Sequence, residues 1–208
     1  MPLIATMVTC PRRWKEFQQS RRNFEAVRFP FPLRVFQTPE DIETPRVNAC
    51  LNARAALRYA ARHLPDSNDS WVLYLEDDVL LHAALAELAA ALIDLGNEHN
   101  VACWYLCNRR VPYSEARSFH GFLAYRLTPP IIGAQALLFP KRYIKAILAR
   151  HWTLLPDDEI FAVLTEEGAN IFQVIRPVLV EHLGQYSTFN PFEPQKLEVN
   201  NADSPGCY

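Results

Sequence analysis

The 208-residue chain is half hydrophobic and carries 21 Lys and Arg against 23 Asp and Glu, a formal charge of −2. This length predicts one domain over residues 1–208, with a core at 3–187 and an extended polar tail at 188–208. The near-neutral charge excludes a general attraction to nucleic acid or anionic membrane, and no apolar run is long enough for a membrane span. The five cysteines lack a CxxC pair, which argues against a disulfide framework or thiolate zinc site, so we expect a cytoplasmic protein.

Hydrophobic periodicity predicts alternating strands and helices in the first half of the chain. The predicted strands are residues 3–9, 33–36, 71–75 and 101–106, and the predicted helices are residues 14–26, 47–63 and 83–95. Gly96 and Asn97 are typical of a stop signal after the third helix. Because each connection is long enough to hold a crossover helix, the pattern predicts an α/β fold with a largely parallel sheet.

The alternation stops at residues 108–132, which we interpret as a loop because arginines crowd it and two prolines close it. Loops of about 25 residues are unusual in compact domains and more often functional than idle. Further strands are predicted at residues 134–139, 171–174 and 178–180, and further helices at 141–150 and 156–166.

The six glycines show neither the GxGxxG spacing of dinucleotide-binding turns nor a phosphate-binding P-loop. The zinc-protease motif HExxH and the hydrolase motif GxSxG are also missing. Rossmann dehydrogenases, P-loop enzymes and the commonest zinc proteases and hydrolases are therefore excluded.

Three consecutive acids, Glu76, Asp77 and Asp78, directly follow the predicted buried strand at 71–75. In open α/β sheets, ligands bind beyond the carboxyl ends of the strands, so carboxylates placed there suit a hard divalent cation and the phosphates it attracts. A helix cap or a solvated turn is an equally frequent explanation for an isolated acidic triplet. A Walker-B strand is excluded because the chain has no phosphate loop.

This segment resembles the DxD motif of GT-A glycosyltransferases, with Glu76 at the first position instead of Asp. Three later segments extend the resemblance: residues 132–136 (IGAQA) to the donor-sugar segment, 156–160 (PDDEI) to the acidic helix start facing the acceptor, and 177–184 (PVLVEHLG) to the closing segment. The resemblance implies a GT-A fold, α/β with three layers and a mostly parallel mixed sheet. It also implies a Leloir-type transferase that uses Mn²⁺ or Mg²⁺ and a nucleoside diphosphate sugar, a UDP-sugar being favoured.

The resemblance also assigns roles to single residues. It implies metal binding by Asp78 and His182, with Glu76 reaching the ribose or a metal-bound water. For an inverting transfer, Asp158 is the expected base and Asp157 the helix cap, whereas in a retaining transfer the same carboxylate would only position the substrate. The two residues could be exchanged, and both could be ordinary caps. His182 could equally be a histidine satisfied by backbone partners. The expected donor-binding residues are Thr9, Arg12, Arg13, Asn52, Asp77, Gly133, Ala134, Gln135, Gly184 and Ser187.

Arginine and tyrosine in the predicted loop suit acceptor recognition, because they stack on rings and bind hydroxyls or phosphates. The candidates are Arg109, Arg110, Tyr113 and Arg117, and a merely charged surface loop is the alternative. We expect a glycan precursor as the hydroxyl acceptor in the cytosol of a bacterial or phage-infected cell. DNA with hydroxymethylated bases is the second choice. A nucleotidyltransferase and a non-catalytic nucleotide-sugar-binding module are the competing classes.

Overall fold

An eight-stranded mixed sheet forms the centre of the molecule. The computed structural model describes residues 2–10, 13–37, 45–107, 112–129, 131, 133, 135–152, 156–167 and 170–183, with only the backbone at 45, 46, 157 and 158. The strands are β1 Leu3–Thr9, β2 Leu33–Gln37, β3 Trp71–Glu76, β4 Val79–Leu81, β5 Val101–Tyr105, β6 Tyr113–Phe119, β7 Phe122–Leu127, β8 Ala136–Pro140, β9 Asn170–Arg176 and β10 Val180–His182. The helices are α1 Trp14–Ala26, α2 Pro45–His63, α3 Ala83–Glu98, α4 Ile144–Ala149 and α5 Pro156–Glu166, and a 3-10 turn at Lys141–Tyr143 precedes α4.

The strand order in the large sheet is β2-β1-β3-β8-β5-β9-β7-β6. β1 runs parallel to β2 and β3, and β5 runs parallel to β9, whereas β8 runs antiparallel to both of its neighbours. Strands β4 and β10 form a separate antiparallel pair. The predicted mixed α/β fold is confirmed. In the described part of the chain, no helix has both the length and the apolar character to cross a membrane.

The central strands are buried on both faces. All residues of β5 and β8 are buried, and so are the first five of β3. Because successive side chains point to opposite faces, such continuous burial requires cover on both sides of the sheet. The largest fully buried side chains are aromatic and come from these strands and β9, among them Trp71, Trp104, Tyr74, Tyr105, Phe139 and Phe172.

The predicted long loop is wrong, because most of it forms the hairpin of β6 and β7. His120 and Gly121 join the two strands and both have positive φ, 41° and 97°. Two such residues are the requirement of a type I′ turn, whose twist matches that of the flanking strands. The His-Gly pair between two alternating segments was therefore the overlooked hairpin signal. β6 is the edge strand of the large sheet.

The predicted stop at Gly96 is also wrong, since α3 continues to Glu98. A Cβ atom on Gly96 would lie 2.4 Å from the Trp71 ring. A glycine at this helical position therefore leaves space for the Trp71 indole to pack against α3. Asn97 accepts a hydrogen bond from the Trp71 indole N–H at 3.3 Å. Packing of a large aromatic, and not helix termination, accounts for both residues.

Candidate active site

The three acids form a tight connection between the two sheets, which we call the acidic turn, Glu76–Asp78. Glu76 is the last residue of the central strand β3, and Val79 begins β4 immediately after the turn. β4 pairs with β10 so that Val79 lies opposite His182. This register brings a histidine from the end of the described chain to the acidic turn.

Helix α1 holds the backbone of this region. The Ser20 hydroxyl donates to the Asp77 carbonyl at 2.8 Å and accepts from the Val79 N–H at 3.0 Å. Asn23, one turn further along the helix, donates to the Leu81 carbonyl and accepts from its N–H. The two side chains thus supply hydrogen bonds that a neighbouring strand would otherwise give to this part of the chain. Sequence reasoning missed both residues, although a serine within the buried face of an amphipathic helix was a visible signal.

Asp77 ties the acidic turn to the end of β1. It is 2% exposed, and its Oδ2 accepts from the Thr9 hydroxyl at 2.7 Å and from the Cys10 N–H at 3.4 Å. Its Oδ1 lies 3.2 Å from Nε of Arg13. Asn52 of α2 donates to the Thr9 carbonyl at 2.8 Å and so fixes the same strand end. Four of the expected donor-binding residues are therefore one connected group.

Burial raises the pKa of Asp77 to about 6, and the neighbouring Asp78 carboxylate adds to the rise, although Arg13 and the hydrogen bond from Thr9 oppose it. For Asp78, burial alone would raise the pKa. The hydrogen bond from His182 and the charge of Arg13 outweigh burial and hold the pKa of Asp78 below its ordinary value. Adjacent acids in one turn thus differ in proton affinity because their partners differ.

Asp78 has one satisfied and one open carboxylate oxygen. Its Oδ2 lies 2.7 Å from Nε2 of His182 and also accepts from Nη2 of Arg13. Its backbone carbonyl accepts from the Leu183 N–H at 2.6 Å. The residue is 2% exposed, yet Oδ1 has no hydrogen-bond partner among the described residues. Among the described residues no donor satisfies this buried oxygen, which makes it a candidate contact for a bound ligand.

The predicted donor-sugar segment lies beside the acidic turn. The Glu76 N–H donates to the carbonyl of Gln135, which immediately precedes β8, at 2.9 Å. The Gln135 side chain is buried and its Oε1 accepts from the Tyr105 hydroxyl at 2.7 Å. Gly133 has a φ of 91°, a conformation that side-chain-bearing residues rarely adopt. Sequence reasoning missed Tyr105, because a tyrosine within a predicted buried strand is normally interpreted as a core residue.

Other expected site residues lie away from the acidic turn or outside the described residues. Tyr113 and Arg117 lie on β6, and four strands separate β6 from β3. Asp157 and Asp158 lie in the first turn of α5, whose backbone alone is described there. The residues outside the described part of the chain are Arg12, Arg109, Arg110, Ala134, Gly184 and Ser187.

Among the described residues, no three His, Cys, Asp or Glu side chains converge as a complete metal site. Asp78 and His182 are nevertheless in contact, and a carboxylate with an imidazole suits Mn²⁺. Divalent cations in phosphate-binding sites are commonly held by one or two protein groups, with water and phosphate oxygens at the other positions. The donor set, together with the open oxygen of Asp78, fits a cation held in that way.

Comparison with solved structures identifies the fold. A glycosyltransferase involved in glycosylation of the major capsid of PBCV-1 is 12% identical, with 90% of this chain and 95% of that chain covered at a TM-score of 0.58. The Drosophila β1,4-galactosyltransferase 7 is 13% identical, with 97% and 78% covered at 0.51, and GlyE of Streptococcus pneumoniae is 12% identical, with 95% and 58% covered at 0.51. No protein-family model matches the sequence, and the search of curated proteins gave no match. The chain therefore has the GT-A fold of these glycosyltransferases.

Proposed function

We propose that the protein is a Leloir-type glycosyltransferase, which moves a sugar from a nucleoside diphosphate sugar to a hydroxyl acceptor with a divalent cation at the acidic turn. One observation carries the proposal: in a fold shared with glycosyltransferases, the buried Asp78 follows the central strand and keeps one carboxylate oxygen open. Ligand sites in open α/β folds lie at this end of the strands.

The proposed cation is Mn²⁺ or Mg²⁺, with Asp78 as direct ligand and His182 completing the protein contribution. Glu76, which is half-buried, would bind the ribose or a metal-bound water. When bound, the cation would neutralise the negative charge that develops on the departing diphosphate. Support for this choice comes from the galactosyltransferase neighbour, whose structure is a complex with manganese and UDP-Gal. We accordingly take UDP as the first nucleotide to test.

The remaining donor contacts are proposed from the resemblance and, for the described residues, from their position near the acidic turn. Asp77, Thr9 and Asn52 shape the strand end, and Arg13 and Arg12 would meet the diphosphate, since guanidinium groups bind phosphate oxygens in pairs. The segment of Gly133, Ala134 and Gln135 would line the sugar. Gly184 and Ser187 would approach the diphosphate from the closing segment.

Deprotonation of the acceptor hydroxyl is assigned to Asp158, with Asp157 as the cap of α5. An inverting transfer needs one carboxylate to take this proton at the side of the sugar opposite the leaving group. Arg109, Arg110, Tyr113 and Arg117 are the proposed acceptor contacts, and a glycan precursor is the proposed acceptor. We place the catalytic unit in one domain over residues 3–187 and its activity in the cytoplasm.

Thermal unfolding with UDP or GDP, each with and without Mn²⁺, tests the donor site. A ligand at about 100 times its dissociation constant stabilises the folded state by roughly 2.7 kcal/mol. We expect this stabilisation only when nucleotide and Mn²⁺ are both present. If neither nucleotide stabilises the protein more with Mn²⁺ than without it, the proposed donor site is wrong.

Product analysis separates the competing functions. A glycosyltransferase releases nucleoside diphosphate and a glycosylated acceptor, a nucleotidyltransferase releases pyrophosphate from a nucleoside triphosphate, and a binding module releases nothing. A nucleotidyltransferase is disfavoured because these enzymes usually carry a glycine-rich phosphate segment near the N-terminus, and Gly96 is the first glycine of this chain. Duplex DNA would replace the glycan as acceptor if DNA binding fell steeply with salt and Arg117→Ala weakened it.

A further inference from the structure

The guanidinium of Arg13 spans both aspartates of the acidic turn. Its Nε lies 3.2 Å from Asp77 Oδ1, and its Nη2 donates to Asp78 Oδ2. The side chain is 19% exposed, so the contact is largely shielded from water. Arg13 directly precedes α1, the helix whose Ser20 binds the backbone of the same turn. The start of α1 and the contacts with the two aspartates therefore fix the side chain of Arg13, whereas an exposed arginine has no such restraint.

Arg13 supplies the positive charge that the turn needs in the absence of a bound cation. Asp77 and Asp78 are each 2% exposed, and the guanidinium of Arg13 contacts both of them. Two adjacent buried carboxylates are costly without a counter-ion, because each disfavours the charged form of the other.

Arg13 and a divalent cation would use the same ligand. Oδ1 of Asp78 is open, but Oδ2, the oxygen that faces His182, also lies against Arg13, so a cation shared by Asp78 and His182 would meet the guanidinium. A cation drawn between Asp78 and His182 would stand next to the guanidinium, and the two positive charges repel each other. The Asp77 contact is different, because Thr9 and Cys10 hold that carboxylate independently of Asp78.

We propose that Arg13 is a displaceable counter-ion: it occupies Asp78 when no divalent cation is bound, and gives up that contact to the cation while it stays on Asp77. The inference rests on the proposed function and adds a mode of regulation to the same site. The Nη2 group released from Asp78 becomes a donor for the diphosphate that arrives with the cation, because a guanidinium is well suited to bind phosphate oxygens. Without nucleotide, competition from Arg13 weakens the binding of the cation. When the nucleotide binds, the contact of Arg13 with the diphosphate replaces the contact that Arg13 loses at Asp78.

Titration of the nucleotide-free protein with Mn²⁺, followed by electron paramagnetic resonance of the free ion, tests this competition. Arg13→Gln removes the charge and keeps a polar side chain, and we expect it to bind Mn²⁺ about tenfold more tightly than the wild type. Arg13→Lys keeps the charge but cannot span both carboxylates, and should lie between the two. UDP affinity at saturating Mn²⁺ should fall about tenfold in Arg13→Gln.

Arg21→Gln is the matched control, since Arg21 lies on α1, the helix that Arg13 precedes, is 54% exposed and pairs only with Glu25 among the described residues. It should leave both affinities unchanged. If neither Arg13 variant binds Mn²⁺ more tightly than the wild type, the proposed displacement of Arg13 is wrong.

Asp78→Asn separates this failure from a failure of the proposed function. If the wild type binds Mn²⁺ no better than Asp78→Asn does, the proposed metal site is wrong. If Asp78→Asn abolishes Mn²⁺ binding but the Arg13 variants do not strengthen it, the metal site stands and only the displacement of Arg13 is wrong.

Discussion

The acidic turn and the β6–β7 hairpin are both rich in charge, and they hold that charge in opposite ways. Asp77 and Asp78 are each 2% exposed, and their partners come from other elements of the fold. On β6, Arg117 and Glu115 pair with each other at 2.8 Å, with side chains 47% and 38% exposed. A buried charge needs specific partners to offset its lost hydration, whereas an exposed pair contributes little. Function is therefore expected where charge is buried.

The largest effect should come from Asp78→Ala. Loss of the cation removes several kcal/mol of transition-state stabilisation, which corresponds to a roughly 10³–10⁵-fold fall in turnover. The Mn²⁺-dependent stabilisation by UDP should disappear as well, which thermal unfolding measures. Glu115→Ala on the hairpin is the matched control and should change neither. Equal loss in the two variants would break the contrast between buried and exposed carboxylates.

A second large effect is expected at the start of α5. Asp158→Asn should lower turnover by about 10²–10⁴-fold, typical for loss of a general base, while donor binding stays nearly intact. Steady-state kinetics and UDP binding measured on the same preparation separate the two quantities. Activity that survives Asp158→Asn but not Asp157→Asn would mean that the two roles are exchanged.

The raised pKa of Asp77 predicts a pH dependence of stability in metal-free buffer. Folded Asp77 titrates near 6 and its reference value is 3.8, so the folded state binds more protons between these values. The free energy of unfolding should therefore fall as pH rises from about 4 to about 6, by an amount on the order of 3 kcal/mol. Asp78, with its lowered pKa, acts in the opposite sense below pH 4.

Denaturant unfolding of the wild type and Asp77→Asn across this pH range measures the effect. The free energy of unfolding of the wild type should fall with pH relative to that of Asp77→Asn, because the asparagine does not titrate. Asp94→Asn replaces an exposed acid on α3 and serves as control. Parallel curves for the wild type and Asp77→Asn would show that Asp77 is ionised throughout this range.

A smaller difference is expected between two serines. Ser20→Ala leaves the buried Val79 N–H without its partner and should lower the free energy of unfolding by about 1–3 kcal/mol. Ser118→Ala, the same change on the exposed face of β6, should cost less than about 0.5 kcal/mol. Urea unfolding compares the two directly, and similar costs would argue that α1 does not hold the acidic turn.

The smallest effect is expected for Arg117→Ala. Arg117 pairs with Glu115 and lies 5.6 Å above the Phe172 ring, contacts that at this exposure contribute less than about 1 kcal/mol. Mn²⁺-dependent UDP binding should be unchanged, because four strands separate β6 from β3. A weakened UDP affinity in this variant would place the hairpin in the donor site and remove the contrast.

Local sequence signals were sufficient for most of the elements. β1 and α1 have the bounds that periodicity predicts, because their apolar residues recur with the period of the structure they form. The hairpin and the end of α3 were missed for the opposite reason. At Gly96 the local stop signal is overridden by a Trp71 ring that sequence alone does not place there. In residues 108–132 the four arginines led to the interpretation of a loop, and the turn formed by His120 and Gly121 was missed.

The candidate site divides along the same line. A buried strand followed by Glu76, Asp77 and Asp78 is a local pattern, so the sequence by itself determined that an acidic turn would follow a central strand, and the cation chemistry stays a prediction. Only the tertiary structure decided which partners meet Asp78. Arg13 is 65 residues away and His182 is 104 residues away along the chain, and their contacts depend on how α1 and β10 pack. The local pattern of residues shows which structure a segment prefers. The partners of a side chain depend on how distant segments pack, and a single sequence contains no periodic signal for that packing.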